Sequence, residues 1–119
     1  MESKHSLLKS FEFAFQGIST EFKKGRNFRI QIALGVLSMV LAYFLKFTTD
    51  EWAILEITIS AVLILELLNT AIEEIVNIVS PEIKPEAKIA KDVAAASVLV
   101  ASIASVAIAA FLFLPKIIK

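Results

Sequence analysis

Residues Trp52 to Ile78 read WAILEITISAVLILELLNTAIEEIVNI, and this stretch decides the fold. Its first half is apolar apart from Glu56, whereas its second half carries Glu66, Asn69, Glu73, Glu74 and Asn77. About 20 apolar residues suffice to cross a bilayer as a helix, and the stretch is longer than that. Ionisable groups at such depth are expensive and mark function by default. With Glu66 at 0° on a helix, Asn69 falls at about −60°, Glu73 at about −20° and Asn77 at about +20°. These polar groups therefore share one narrow stripe, an arrangement that scattered surface charges do not produce.

Outward from this stretch the chain keeps the same character. Phe28 to Phe47 is a second spanning candidate, followed by a short polar turn from Lys46 to Glu51. Ser80-Pro81-Glu82-Ile83-Lys84-Pro85 breaks the chain, because two prolines stop one helix and can start the next. Val93 to Leu114 contains no charge and is the core of a third span, 86–114 with its extension. Pro115 and the lysines around it are expected to end that helix. Before the first span, apolar Leu7, Leu8, Phe11, Phe15, Ile18 and Phe22 recur every three or four residues within His5 to Phe22. That rhythm predicts an amphipathic helix over 5–22. With the basic segment Lys23 to Arg29 beside it, the helix suits the membrane surface. The expected fold is an all-α integral membrane domain over 1–119, with a surface helix and spans at 28–47, 52–78 and 86–114.

Composition narrows the function. The 119 residues are 57% hydrophobic, with a mean hydropathy of +0.76. Net charge is zero, so no basic field recruits nucleic acid. There is no Cys, which removes disulfides, thiolate metal sites and Cys nucleophiles. The sole His is His5, so neither a His metal cluster nor a Ser-His-Asp triad is expected within one chain. The first apolar run is too long for a signal core, and no cleavable signal is expected. Lys4, Lys9, Lys23, Lys24, Arg26 and Arg29 precede the first span, and Lys84, Lys88 and Lys91 lie between the second and third. The positive-inside rule puts the N-terminus and the 80–92 loop in the cytoplasm. The polar stripe then sits at the cytoplasmic end of its helix. Ser97, Ala101, Ser105 and Ala109 form a small-residue face that lets helices approach closely. Three spans are few for enclosing the polar groups, so oligomerisation is the natural way to shield them.

Paired carboxylates with an amide and a nearby lysine suit two kinds of chemistry. One is magnesium-assisted phosphoryl transfer, in which carboxylate and phosphate oxygens hold Mg²⁺ and a lysine offsets phosphate charge. The other is passage of cations or protons along intramembrane carboxylates. Lys91 and Asp92 favour the first, although an acid near a positive helix end would also account for Asp92. Neither a Gly-x-x-x-x-Gly-Lys loop nor a Gly-x-Gly-x-x-Gly loop is present, so a nucleotide would be bound without a glycine cradle.

The run Glu66-Leu67-Leu68-Asn69-Thr70-Ala71-Ile72-Glu73, with Ala87-Lys88-Ile89-Ala90-Lys91-Asp92 after it, resembles the prokaryotic diacylglycerol kinase family, which includes undecaprenol kinases. The resemblance extends from about Phe11 to Leu114. It implies a homotrimer with active sites shared between subunits in the bacterial cytoplasmic membrane. It also implies transfer of phosphate from ATP, with Mg²⁺, to the hydroxyl of a membrane lipid alcohol, undecaprenol or diacylglycerol. By position, the resemblance makes Glu66 the general base and Glu73 a magnesium ligand. Asn69 helps hold the site, Lys91 contacts phosphate, and Asp92 supports the nucleotide. Arg26 to Ile30 and Lys84 to Asp92 look closer to the undecaprenol kinase type. The chain departs from the family pattern at Gly25, where a metal-binding glutamate is usual, and at Asn77, where an aspartate is usual on the nucleotide side. Gln31 stands where a histidine is frequent. Glu21, one turn before Gly25, is placed to supply the missing metal-binding carboxylate. The two lost acids also admit a family member with weakened or lost catalysis that binds lipid or nucleotide.

Overall fold

The computed structural model describes residues 4–118, with side chains from Ser6 onward, as four helices. They are α1 (Lys4–Lys24), α2 (Arg26–Phe44), α3 (Thr49–Val79) and α4 (Pro85–Ile118). The His5 side chain lies outside the described residues. α2, α3 and α4 are each long and apolar enough to cross a membrane. The fold is an all-α membrane fold with a leading amphipathic helix. Its outer surface confirms the solvent it is built for: Ile57, Ile64, Leu99, Val106 and Phe111 are all more than half exposed. In water such a surface would drive aggregation, whereas in hydrocarbon it needs no cover.

α1 leaves Leu7, Leu8, Phe11, Phe15, Ile18 and Phe22 uncovered by protein, as a helix lying at the interface requires. It stops at Gly25, whose extended backbone (φ −97°, ψ 100°) turns the chain into α2. Arg29 holds this corner by donating from Nη1 to the carbonyls of Phe22 (2.7 Å) and Lys23 (3.0 Å). These carbonyls belong to the last turn of α1, where intrahelical partners run out.

α2 ends at Phe44, three residues before the expected limit at Phe47. Lys46 takes a left-handed conformation (φ 59°), and the Phe47 N–H reaches back to the Ala42 carbonyl at 3.1 Å. This is a Schellman termination, a closure usually reserved for glycine. α3 then opens on a capping box. The Thr48 hydroxyl accepts from the Glu51 N–H (3.2 Å), and Glu51 Oε1 accepts from the Thr48 N–H (2.8 Å).

α3 is the central element: α2 and α4 both pack on it, and α1 touches it near its other end. Its face toward the other helices carries Leu55, Val62 and Glu66. The apolar core lies at the end where α2 turns into α3, around Ala42, Phe47, Leu55, Leu112 and Phe113. The Phe47 and Phe113 rings stand 4.9 Å apart between centroids. α2 comes close to α3 at Gly35, where an added Cβ would lie 3.0 Å from Ile59 Cγ2. On α4, Ala94 is buried and Ala101, Ser105 and Ala109 are half-buried, so much of the small-residue face packs within the chain.

Pro115 does not end the third span; α4 continues through it to Ile118. Proline removes only one backbone donor there. The last turn is held by Lys116, which meets Glu51 Oε1 at 3.0 Å and lies over the Phe47 ring at 5.8 Å.

Candidate functional site

Opposite the aromatic core, the end of α1 meets α3 and forms a polar pocket. It is lined by Glu21 and Lys24 from α1, by Gly25, Arg26 and Asn27 at the corner, and by Glu66, Asn69, Thr70, Glu73 and Glu74 from α3. The pocket therefore gathers Glu66, Asn69 and Glu73 of the stripe with Glu21, 45 positions earlier in the case of Glu66. Glu66 and Glu21 are 5% and 4% exposed, and among the described residues they are the buried charged ones. Glu66 Oε2, Glu21 Oε1 and Asn69 Oδ1 are buried without a hydrogen-bond partner among the described residues. The charges of Glu21 and Glu73 both bear on Glu66.

The Glu21 carboxylate folds back over Gly25. A Cβ at position 25 would fall 2.6 Å from Glu21 Oε2. Lys24 does not neutralise these buried acids directly. Its ammonium pairs with Glu74 Oε2 at 2.8 Å, with both side chains about half exposed. The hydrogen bond and charge of Glu74 raise the Lys24 ammonium above the usual lysine range; desolvation opposes them, and the charges of Glu21 and Glu73 add smaller contributions in the same upward direction. Lys24 stays protonated at any physiological pH.

The remaining expected residues stand apart from this pocket. Asn77, Lys91 and Asp92 line a neighbouring cleft with Lys84 and Lys88, around the 80–88 connection. Asp92 lies two turns inside α4, which begins at Pro85, so it is not a first-turn acid at the positive helix end. It pairs instead with Lys88 at 2.6 Å. The charge of Lys91 reaches Glu74, which links the two clefts electrostatically. The stripe from Glu66 to Asn77 is thus divided, with its deeper part facing α1 and its end facing the start of α4. Sequence reasoning missed the Lys24–Glu74 pair and the pocket-lining Arg26, Asn27 and Thr70. The basic run beside Gly25 was the available signal, but it read equally well as a membrane-surface charge.

Carboxylate and amide oxygens are the donors a hard divalent cation takes, and unpartnered oxygens are present here. Among the described residues, no three acids stand close enough to form a cage by themselves. Mg²⁺ is ordinarily held by one or two carboxylates together with phosphate oxygens. The donor set fits a site of that shared kind.

A family model described as "Prokaryotic diacylglycerol kinase" matches residues 12–113. The chain belongs to this family. It is 43% identical over 115 residues to a diacylglycerol kinase of Synechocystis sp., covering 96% of this chain and 66% of that protein. It is 37% identical over 109 residues to an undecaprenol kinase of Bacillus subtilis, covering 92% of this chain and 89% of the relative. A diacylglycerol kinase of Haemophilus influenzae is 33% identical over 95 residues, 80% of either chain. The chain thus spans just under two thirds of the cyanobacterial relative and most of the other two. Family membership agrees with the resemblance carried by the Glu66–Glu73 run. The relatives' names divide between two lipid alcohols.

Proposed function

We propose that the chain is a lipid kinase of the bacterial cytoplasmic membrane. It transfers the γ-phosphate of ATP to the hydroxyl of a membrane lipid alcohol, undecaprenol or diacylglycerol. The observation that carries this reading is Glu66: a buried carboxylate with an unpartnered oxygen, on a spanning helix, in a pocket shared with further acids. It lies about 10 Å along α3 from Glu73. α3 has 31 residues, and at about 1.5 Å each it is longer than the roughly 30 Å hydrocarbon core. A helix with its start at one interface therefore brings Glu66 near the other and lifts Glu73 toward the headgroups. A lipid hydroxyl arriving within the bilayer meets Glu66 first, and a nucleotide arriving from the cytosol meets Glu73 and the 80–92 region first.

In this scheme Glu66 accepts the hydroxyl proton as the lipid oxygen bonds to the γ-phosphorus. The bond from that phosphorus to the bridging oxygen breaks, and ADP leaves. Bound Mg²⁺ supplies neutralisation of phosphate charge, with Glu73 as its protein ligand. Asn69 holds the site between the two acids. Lys91 contacts phosphate, while Asn77 and Asp92 line the nucleotide side. The basic residues of the N-terminus and the 80–92 loop support a cytoplasmic position for the acidic end.

The active form is a homotrimer that closes the open pocket. Supporting this, Ile57, Ala61, Ile64, Leu68, Ala71, Ile75 and Ile78 lie on exposed positions of α3. They alternate by four and three residues, the spacing of a seam between helices of separate chains.

The test is direct. Purified protein in lipid nanodiscs receives γ-labelled ATP, Mg²⁺ and a panel containing undecaprenol, diacylglycerol and short-chain alcohols. Label is expected in one of the long-chain lipids. No label in any lipid at saturating ATP and Mg²⁺ overturns the reading.

A further inference from the structure

Among its described residues α1 buries one side chain, and that residue is a carboxylate; the rest are exposed apart from half-buried Ser6. Glu21 is 4% exposed, and its Oε1 meets no partner. The nearest ammonium on the same helix, Lys24, is bonded to Glu74. A surface helix that buries a single side chain normally buries an apolar one. Burying an ionised carboxylate beside Glu66 and Glu73 is unfavourable unless a positive charge joins them.

Gly25 completes the arrangement. Its backbone is in an ordinary extended region, so no conformational demand requires glycine. Space does require it. A Cβ there would meet Glu21 Oε2 at 2.6 Å, the Glu21 carbonyl at 2.7 Å and Glu21 Cδ at 3.0 Å. The bare position leaves room for the Glu21 carboxylate to turn inward to α3.

We propose that Glu21 is the ligand α1 contributes to a divalent cation shared with Glu73, and that this cation docks the surface helix onto α3. Gly25 is the space-giving residue that lets Glu21 reach it. The proposal extends the lipid-kinase reading by making the metal a structural fastener as well as a cofactor. The corner carries its own reporter: Lys23, Lys24 and Arg26 are exposed trypsin sites flanking Gly25.

The experiment follows tryptic cleavage after Lys23, Lys24 and Arg26 in nanodiscs, with excess chelator or with Mg²⁺ titrated through the millimolar range. Wild-type protein is expected to be cut several-fold more slowly with Mg²⁺. Glu21→Gln keeps the shape of the side chain and should abolish the difference while its cleavage in chelator stays like wild type. Gly25→Ala should shift protection to higher Mg²⁺; because its methyl also crowds the Glu21 carbonyl, unfolding in chelator is measured beside it. No Mg²⁺ protection in wild type, or protection undiminished in Glu21→Gln, overturns the proposal. Phosphoryl transfer is assayed on the same samples. Transfer without protection removes the docking role and leaves the kinase reading standing. Protection without transfer does the reverse.

Discussion

Replacing Glu66 by Gln keeps its volume and removes its basicity. A general base contributes about 10²–10⁴-fold, and Glu66→Gln is expected to lower turnover by that order while nucleotide binding stays near wild type. Single-turnover transfer and equilibrium binding of a non-hydrolysable ATP analogue measure the two quantities. A weaker ATP affinity with unchanged turnover would move Glu66 out of the base role. Glu73→Gln tests the other acid. It should abolish transfer at ordinary Mg²⁺ while the protein still inserts and assembles, and near-normal turnover would remove Glu73 from metal binding. The two residues share a helix face, and their surroundings separate their roles. Glu66 is buried, whereas Glu73 is half-buried at the mouth of the same pocket.

Each helix boundary has a local chemical cause. Gly25 and Arg29 make the α1–α2 corner, and Thr48 with Glu51 opens α3. Lys46 is the strained point, since a left-handed conformation disfavours residues with a Cβ by roughly 1–2 kcal/mol. Lys46→Gly is expected to stabilise the folded protein by up to about 1 kcal/mol, reduced by the added freedom of the unfolded chain. Denaturant titration in mixed micelles reads this effect. A loss of stability would show that the Lys46 side chain contributes more than its backbone strain costs.

The described helices form a slab of 54 × 42 × 22 Å, too thin to enclose a polar end. The aromatic end solves this with its own core; the acidic end stays open. The uncovered α3 seam is where a further copy is expected. The chain has no Cys, so Ile64→Cys introduces a single reporter thiol. Mild oxidation in membranes should give a covalent dimer in high yield if α3 helices meet at the seam, with Val106→Cys on α4 as the lipid-facing comparison. Equal yields at both positions would place the contact elsewhere.

The four helices were legible because solvent and period set them: apolar runs of bilayer length, a 3–4 residue rhythm in α1, and the prolines between α3 and α4. The polar stripe was legible because acids in an apolar helix are expensive to bury and stand out from the residues around them. Boundaries were less so. The Schellman turn depends on backbone closure from Phe47 to Ala42, and the passage of α4 through Pro115 is supported by Lys116 reaching Glu51, which is 65 positions away in sequence. What tertiary structure decided is which polar groups share a pocket. Helical periodicity aligned Glu66 through Asn77 on one stripe, but α1 packs against the deeper part and α4 against the end, so the stripe serves two clefts. The burial of Glu21 against Glu66 is of the same kind. Periodicity reports the face a residue takes on its own helix, and only packing determines which other helix that face meets.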